Sequence, residues 1–152
     1  MTTDLATGET TTDLPQRCHP ACIACGTRNG DSLGLQFVKE ADGAVAGSFA
    51  CEGKYQGYPD RLHGGVIAML ADAAMTHCLF LHGISALTGK LKLRFPHPVE
   101  VGVVATVRAM LVKNSPPVFE LKAEISQAGI VRVTAEALFI EQTHLAGGGL
   151  AQ

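Results

Sequence analysis

The chain has 152 residues, 47% of them hydrophobic and 17% charged, with no tryptophan and a net charge of −2. That length fits one domain with a sizeable core, and the charge balance supplies no general attraction to nucleic acid or to an anionic membrane. So little surface charge suits a chain that gives part of its surface to a subunit interface.

Residues 1–16, MTTDLATGETTTDLPQ, are polar and Thr-rich and are expected to be a disordered tail. They have no basic start and no apolar run, so they do not read as a signal peptide. Five cysteines, an odd number, without an export signal point to reduced thiols in the cytoplasm. A loop follows, with Asn29-Gly30-Asp31-Ser32 as turn chemistry. Within it, Cys22-x-x-Cys25-Gly26, preceded by Cys18 and His19, offers metal ligands on paper. A structural zinc site wants four ligands in a tetrahedron, adjacent Cys18 and His19 are poorly placed to share one ion, and no second CxxC follows. The expectation is an ordinary folded loop and no metal.

Leu33 to Glu40 and Ala44 to Cys51 read as strands around an Asp42-Gly43 hairpin turn. Residues 52–62 are a Gly- and Pro-bearing loop. His63 to His82, HGGVIAMLADAAMTHCLFLH, is the one long helical run, apolar on nearly every side and therefore expected to be buried all round. It is long enough to raise the membrane question, but Asp72, His77 and the glycines at its start argue for a buried soluble helix. His77 and His82 read as core or interface residues and Cys78 as a small apolar one. After Gly83 the pattern becomes alternating. Lys90 to Phe95 is a half-buried strand, Val101 to Lys113 a long one, and Phe119 to Ile125 and Val131 to Phe139 complete the set. The economical architecture is an antiparallel sheet with one apolar face curled round a single helix, over residues 17–142, with 143–152 a flexible tail.

Gly65 and Asp72 are seven residues apart, on nearly the same helix face and roughly 10 Å apart along the axis. One chain cannot bring both to one reacting carbonyl. A two-fold dimer could supply the amide from one chain and the acid from the other.

His-Gly-Gly opening the helix, an acid seven residues after the second glycine, and the basic alternating strand KLKLRF running into a proline turn together resemble the hotdog-fold acyl-CoA thioesterases. The branch related to phenylacetate-pathway thioesterases is the nearest in kind. The CxxCG…GLGLQF start is similar too, and the resemblance covers about residues 18–141. It implies an α+β hotdog fold, an antiparallel sheet of about six strands wrapped around one long central helix. It also implies hydrolysis of a small to medium acyl-CoA, aromatic acyl groups included, in a groove between subunits of a homodimer or dimer-of-dimers tetramer. Coenzyme A is then part of the substrate, and no metal or redox cofactor is expected.

On that resemblance Gly65 offers its amide to the thioester oxygen, and Asp72 of the partner subunit is general base or nucleophile. His63 joins them as the third catalytic candidate, though a histidine at a helix entrance more often holds a loop than moves a proton. Gly64, Gln56 and Gly57 line the approach, Gly57 standing where relatives carry an asparagine. Thr88, with Ser85 behind it, is the candidate to orient the carboxylate or water. Lys90, Lys92 and Arg94 are candidates for the coenzyme A phosphates, against the plainer reading of a solvated sheet face. The rivals are a non-catalytic acyl-CoA-binding module, a hydratase on the same fold, and a zinc-bearing interaction protein built on Cys18, Cys22 and Cys25.

Overall fold

The computed structural model describes residues 14–142; the two tails expected at the ends lie outside that range except for residues 14–16. These belong to a short helix, α1 (Leu14–Cys18). The strands are β1 (Val38–Lys39), β2 (Val45–Phe49), β3 (Ala86–Arg94), β4 (Ala105–Ser115), β5 (Val118–Gln127) and β6 (Ile130–Glu141). The long helix α2 (Gly64–Leu81) lies between β2 and β3. All pairings are antiparallel, in the order β1-β2-β4-β5-β6-β3, so β1 and β3 are the edges.

The inner face of the sheet carries Val107 and Ala109 of β4, Leu121, Ala123 and Ile125 of β5, and Val133, Ala135, Ala137 and Phe139 of β6, all buried. Several of these are alanines, which lets the helix sit close. Ten residues of α2 are buried, including Leu70, Met75, Cys78 and Leu79. By length and composition α2 could cross a bilayer, yet the sheet supplies the apolar surroundings it needs. Its burial is not all-round: Gly64 and Gly65 are exposed, and Val66, Ala68, Met69 and Asp72 are only half-buried. His77 is half-buried against Phe37 and Phe80, whereas His82 is the exposed C-cap.

Two strands differ from their sequence patterns. Of Leu33 to Glu40 only Val38–Lys39 is strand. The amides of Leu33 and Leu35 donate instead to the carbonyls of Ile23 and Ala24, and Gly34 is left-handed (φ 66°), so this stretch follows the N-terminal loop rather than β2. At Gly47 a side chain would meet the Gln36 carbonyl at 2.5 Å, so glycine permits that close crossing. Val101 to Val104 is likewise not strand. Gly102 is left-handed (φ 93°), and Gln127, 1% exposed, captures the segment: its Oε1 accepts from the Glu100 amide, and its Nε2 donates to the carbonyls of Glu100 and Val103, each at 2.9 Å.

The loop 52–62 is pinned by the same segment. Leu62 donates to the Val99 carbonyl (2.8 Å) and Val101 to that of Asp60 (3.0 Å). Gln127 therefore holds the strap that holds the approach to α2. Replacing it by leucine leaves three part-buried backbone groups without this partner, so Gln127→Leu is expected to cost about 1–3 kcal/mol, read as a lower urea midpoint with an unchanged slope.

Candidate active site

The N-terminus of α2 opens on two glycines, and His63 is its N-cap. The imidazole Nδ1 accepts from the Gly65 amide at 2.8 Å. A histidine here does the work usually left to serine or aspartate, and the bond requires Nδ1 to be unprotonated. The Gly65 amide expected to face a substrate oxygen is thus engaged, and by a side chain rather than by backbone. A Cβ on Gly65 would lie 3.1 Å from that same Nδ1.

In front of this helix end lies a cleft of about 340 Å³, lined by Gly57, Tyr58, Arg61, Leu62, His63 and Gly64. Gly57 touches His63: a Cβ there would lie 3.3 Å from the ring. Gln56 faces its own loop, its Oε1 accepting from the Asp60 amide at 3.1 Å. Arg61 and Tyr58 line the cleft without having been singled out as ligand-binding; Arg61 lies two residues before the HGG motif, a signal that sequence reasoning passed over.

Two turns along α2, the Asp72 carboxylate accepts a hydrogen bond from the Thr88 hydroxyl at 2.5 Å. A register shift makes this contact possible. Lys90 faces Leu138 and Thr88 faces Phe139, so Gly89 is the extra residue of a bulge. Without it, Thr88 would share the face of Lys90, Lys92 and Arg94. With it, Thr88 turns towards the helix. Ser85, the fallback for this role, is elsewhere: it is buried and contacts Cys18 Sγ at 3.6 Å. Among the described residues no cation pairs with Asp72.

Lys90, Lys92 and Arg94 do not join this constellation. They alternate with Leu91 and Leu93, which pack on the core, and so stand on the outer face of the sheet. There they line two grooves of about 440 and 280 Å³ together with Lys122, Glu124 and Glu136. The groove of about 440 Å³ is therefore on the far side of the sheet from Asp72. The mixed charges along it fit the solvated-face reading.

His19 lies on the helix side of the sheet instead. Burial lowers its imidazole pKa below the ordinary value, and the Asp72 charge works the other way, which places the two within electrostatic reach. Burial, with His19 adding to it, brings His77 down to about 4, so that ring is neutral. Burial also pushes the Cys78 thiol up to about 11, which removes it as a nucleophile at neutral pH.

With this geometry in view, the sequence pattern of the thioesterase superfamily matches residues 60–137, from the cleft loop through β6. Among solved structures, the thioesterase superfamily protein RHA08564 superposes with a TM-score of 0.73 at 27% identity, over 78% of this chain and 62% of its own length. This chain therefore spans under two thirds of that protein. The smu.793 protein of Streptococcus mutans, solved with acetyl-CoA, gives 0.67 at 16% identity over 71% of this chain and 88% of its own. The E. coli PaaI protein of the phenylacetic acid degradation operon gives 0.67 at 17%, over 71% and 83%. At these identities the last two speak for the fold alone. No curated protein sequence matches the chain significantly. The six-stranded antiparallel sheet around one central helix is the hotdog fold, and the chain belongs to the thioesterase superfamily.

Proposed function

We propose that the protein hydrolyses an acyl-CoA thioester of small to medium acyl size, with Asp72 as the catalytic carboxylate. The observation that carries this reading is the Thr88–Asp72 hydrogen bond, made where Asp72 is only half-buried on α2. A carboxylate on an apolar helix, held by a hydroxyl and still open to water, is suited to act on a substrate.

The reaction needs a base or nucleophile and a place for negative charge. Asp72 either takes a proton from water as that water adds to the carbonyl, or attacks the carbonyl itself. Charge develops on the carbonyl oxygen, and an amide at the positive end of a helix receives it. The C–S bond then breaks, and the thiolate departs without a strong general acid; where Asp72 is the nucleophile, water then hydrolyses the anhydride formed on it, releasing the acid and restoring the carboxylate. Thr88 acts as a positioning residue, holding one carboxylate oxygen so that the other faces the substrate. No metal or redox cofactor enters these steps.

Asp72 and Gly65 of one chain are too far apart for one carbonyl, so the reading calls for a two-fold copy that brings its own α2 N-terminus to Asp72. The edge of β3 not paired with β6 is available for that copy. Thr88 links β3 to α2, so covering this edge would also cover the open side of the helix. Dimer is the minimum assembly, with a dimer-of-dimers tetramer as the alternative. Five cysteines without a disulfide among them suit the reducing cytoplasm. The second reading, an acyl-CoA-binding module without turnover, rests on Gly57, a residue with no side chain to hold water or substrate at that point of the cleft.

Free-thiol release from a panel of acyl-CoAs separates the two readings: binding without release by a folded wild type leaves only the second. If hydrolysis occurs, Asp72→Ala is expected to lose about a hundredfold or more in kcat. Thr88→Val should lose about tenfold in kcat with little change in KM, and Thr88→Ser should restore it. Equal losses for valine and serine would remove the hydroxyl from the argument. His63→Ala should cost about 1 kcal/mol of stability through the lost cap; a loss in kcat matching that of Asp72→Ala would instead put the imidazole in the reaction.

A further inference from the structure

The N-terminal loop holds a cluster that the proposed reaction does not use. His19, Cys22 and Cys25 each bring a ligand atom within 4.8 Å of the other two, and all three residues are half-buried. His19 Nδ1 lies 3.8 Å from Cys25 Sγ. A tetrahedral zinc ion, with Zn–S near 2.3 Å and Zn–N near 2.1 Å, sets its ligand atoms roughly 3.6–3.8 Å apart. That contact is therefore already at the required separation, and the remaining ones need close by about 1 Å at most.

The surrounding backbone is shaped for a sulfur ligand. The Ala24 amide donates to Cys22 Sγ at 3.3 Å, an arrangement that stabilises a thiolate by a fixed dipole. The Gly26 amide donates to the Cys22 carbonyl at 2.8 Å, closing the turn that brings the two cysteines together. Only glycine fits there, since a Cβ would collide with the Cys22 backbone nitrogen. Arg28 to Pro20 (2.9 Å), Leu33 to Ile23 (2.8 Å) and Leu35 to Ala24 (3.0 Å) hold the turn from outside. Cys18, the other candidate from the sequence, is directed to Ser85 and away from the cluster.

We infer that His19, Cys22 and Cys25 form a binding site for a single zinc ion, with water at the fourth vertex. Binding converts two thiols to thiolates and releases two protons, so the ion and its ligands carry no net charge. The site clamps the loop to α2, because the His19 ring packs edge-on against Phe80 at 5.3 Å. It is independent of whether Asp72 hydrolyses anything.

The test uses the full chain, reduced, stripped with a chelator and shown to be folded. Co2+ alone is titrated in, followed by Zn2+ alone. The expected result is a thiolate-to-cobalt charge-transfer band that saturates at about one ion per chain, is bleached by zinc, and accompanies a rise in melting temperature. Cys22→Ser/Cys25→Ser should abolish the band. His19→Ala should weaken binding by more than the about 10–100-fold that changes one step removed from a metal cost, and Cys18→Ser should keep the band. Absence of the band in folded wild type overturns the inference without any variant. Its persistence in the double serine variant overturns it as well.

Discussion

An eighteen-residue helix with almost no polar side cannot stand in water, and the rest of the fold follows from covering it. Each buried Leu, Ile, Met or Phe contributes about 1.5–3 kcal/mol relative to exposure, and α2 brings Ile67, Leu70, Met75, Leu79 and Phe80. One sheet can wrap only part of a cylinder. Gly65 is exposed and Ala68, Met69 and Asp72 are only half-buried, and their i, i+3, i+4, i+7 spacing puts them on one face of α2. This is where a carboxylate can reside at least cost, since full burial without a partner costs several kcal/mol. The open side and the acid are thus one feature seen twice.

How much of this was legible in the sequence depended on the range of the interaction. The six strands and the central helix came through because each is a local pattern: alternation for a half-buried strand, continuous apolarity for a buried helix. The pairing of Asp72 with Thr88 was suggested by resemblance, but the alternation of KLKLRF, extended back through Gly89, puts Thr88 on the wrong face. A bulge against β6 reverses this, and its sequence trace is a lone glycine inside a strand. Val101 to Val104 failed as strand for a related reason. Its hydrogen bonds go to Gln127, which is distant in sequence, and no local pattern announces such a partner.

The N-terminal loop shows the same limit from another side. Spacing alone argued against Cys18 and His19 serving one ion together. It did not say which of them faces the cysteine pair, because that is decided by the end of α1. The His19 amide still accepts the helical geometry of α1, donating to the Pro15 carbonyl at 2.8 Å. Cys18 is thereby turned towards Ser85 and His19 towards Cys25. The loop then packs on Phe80 through His19, and Phe80 in turn meets His77, so its conformation and the far end of α2 are set together.

At the near end of α2 the capped amide of Gly65 is compatible with the reaction as proposed. His63 Nδ1 accepts from that amide at 2.8 Å. A ground-state thioester carbonyl is a weak acceptor and gains little by displacing an imidazole nitrogen. An oxygen that has taken up negative charge is a far stronger acceptor, and its bond to the amide is charge-assisted. If the reaction proceeds as proposed, the exchange from imidazole to substrate oxygen is therefore weighted towards the transition state, which is the weighting that accelerates a reaction rather than merely tightening binding. Glycine at position 65 fits this exchange. A side chain there would press on the imidazole at 3.1 Å and disturb the cap in the resting state as well as the approach of substrate.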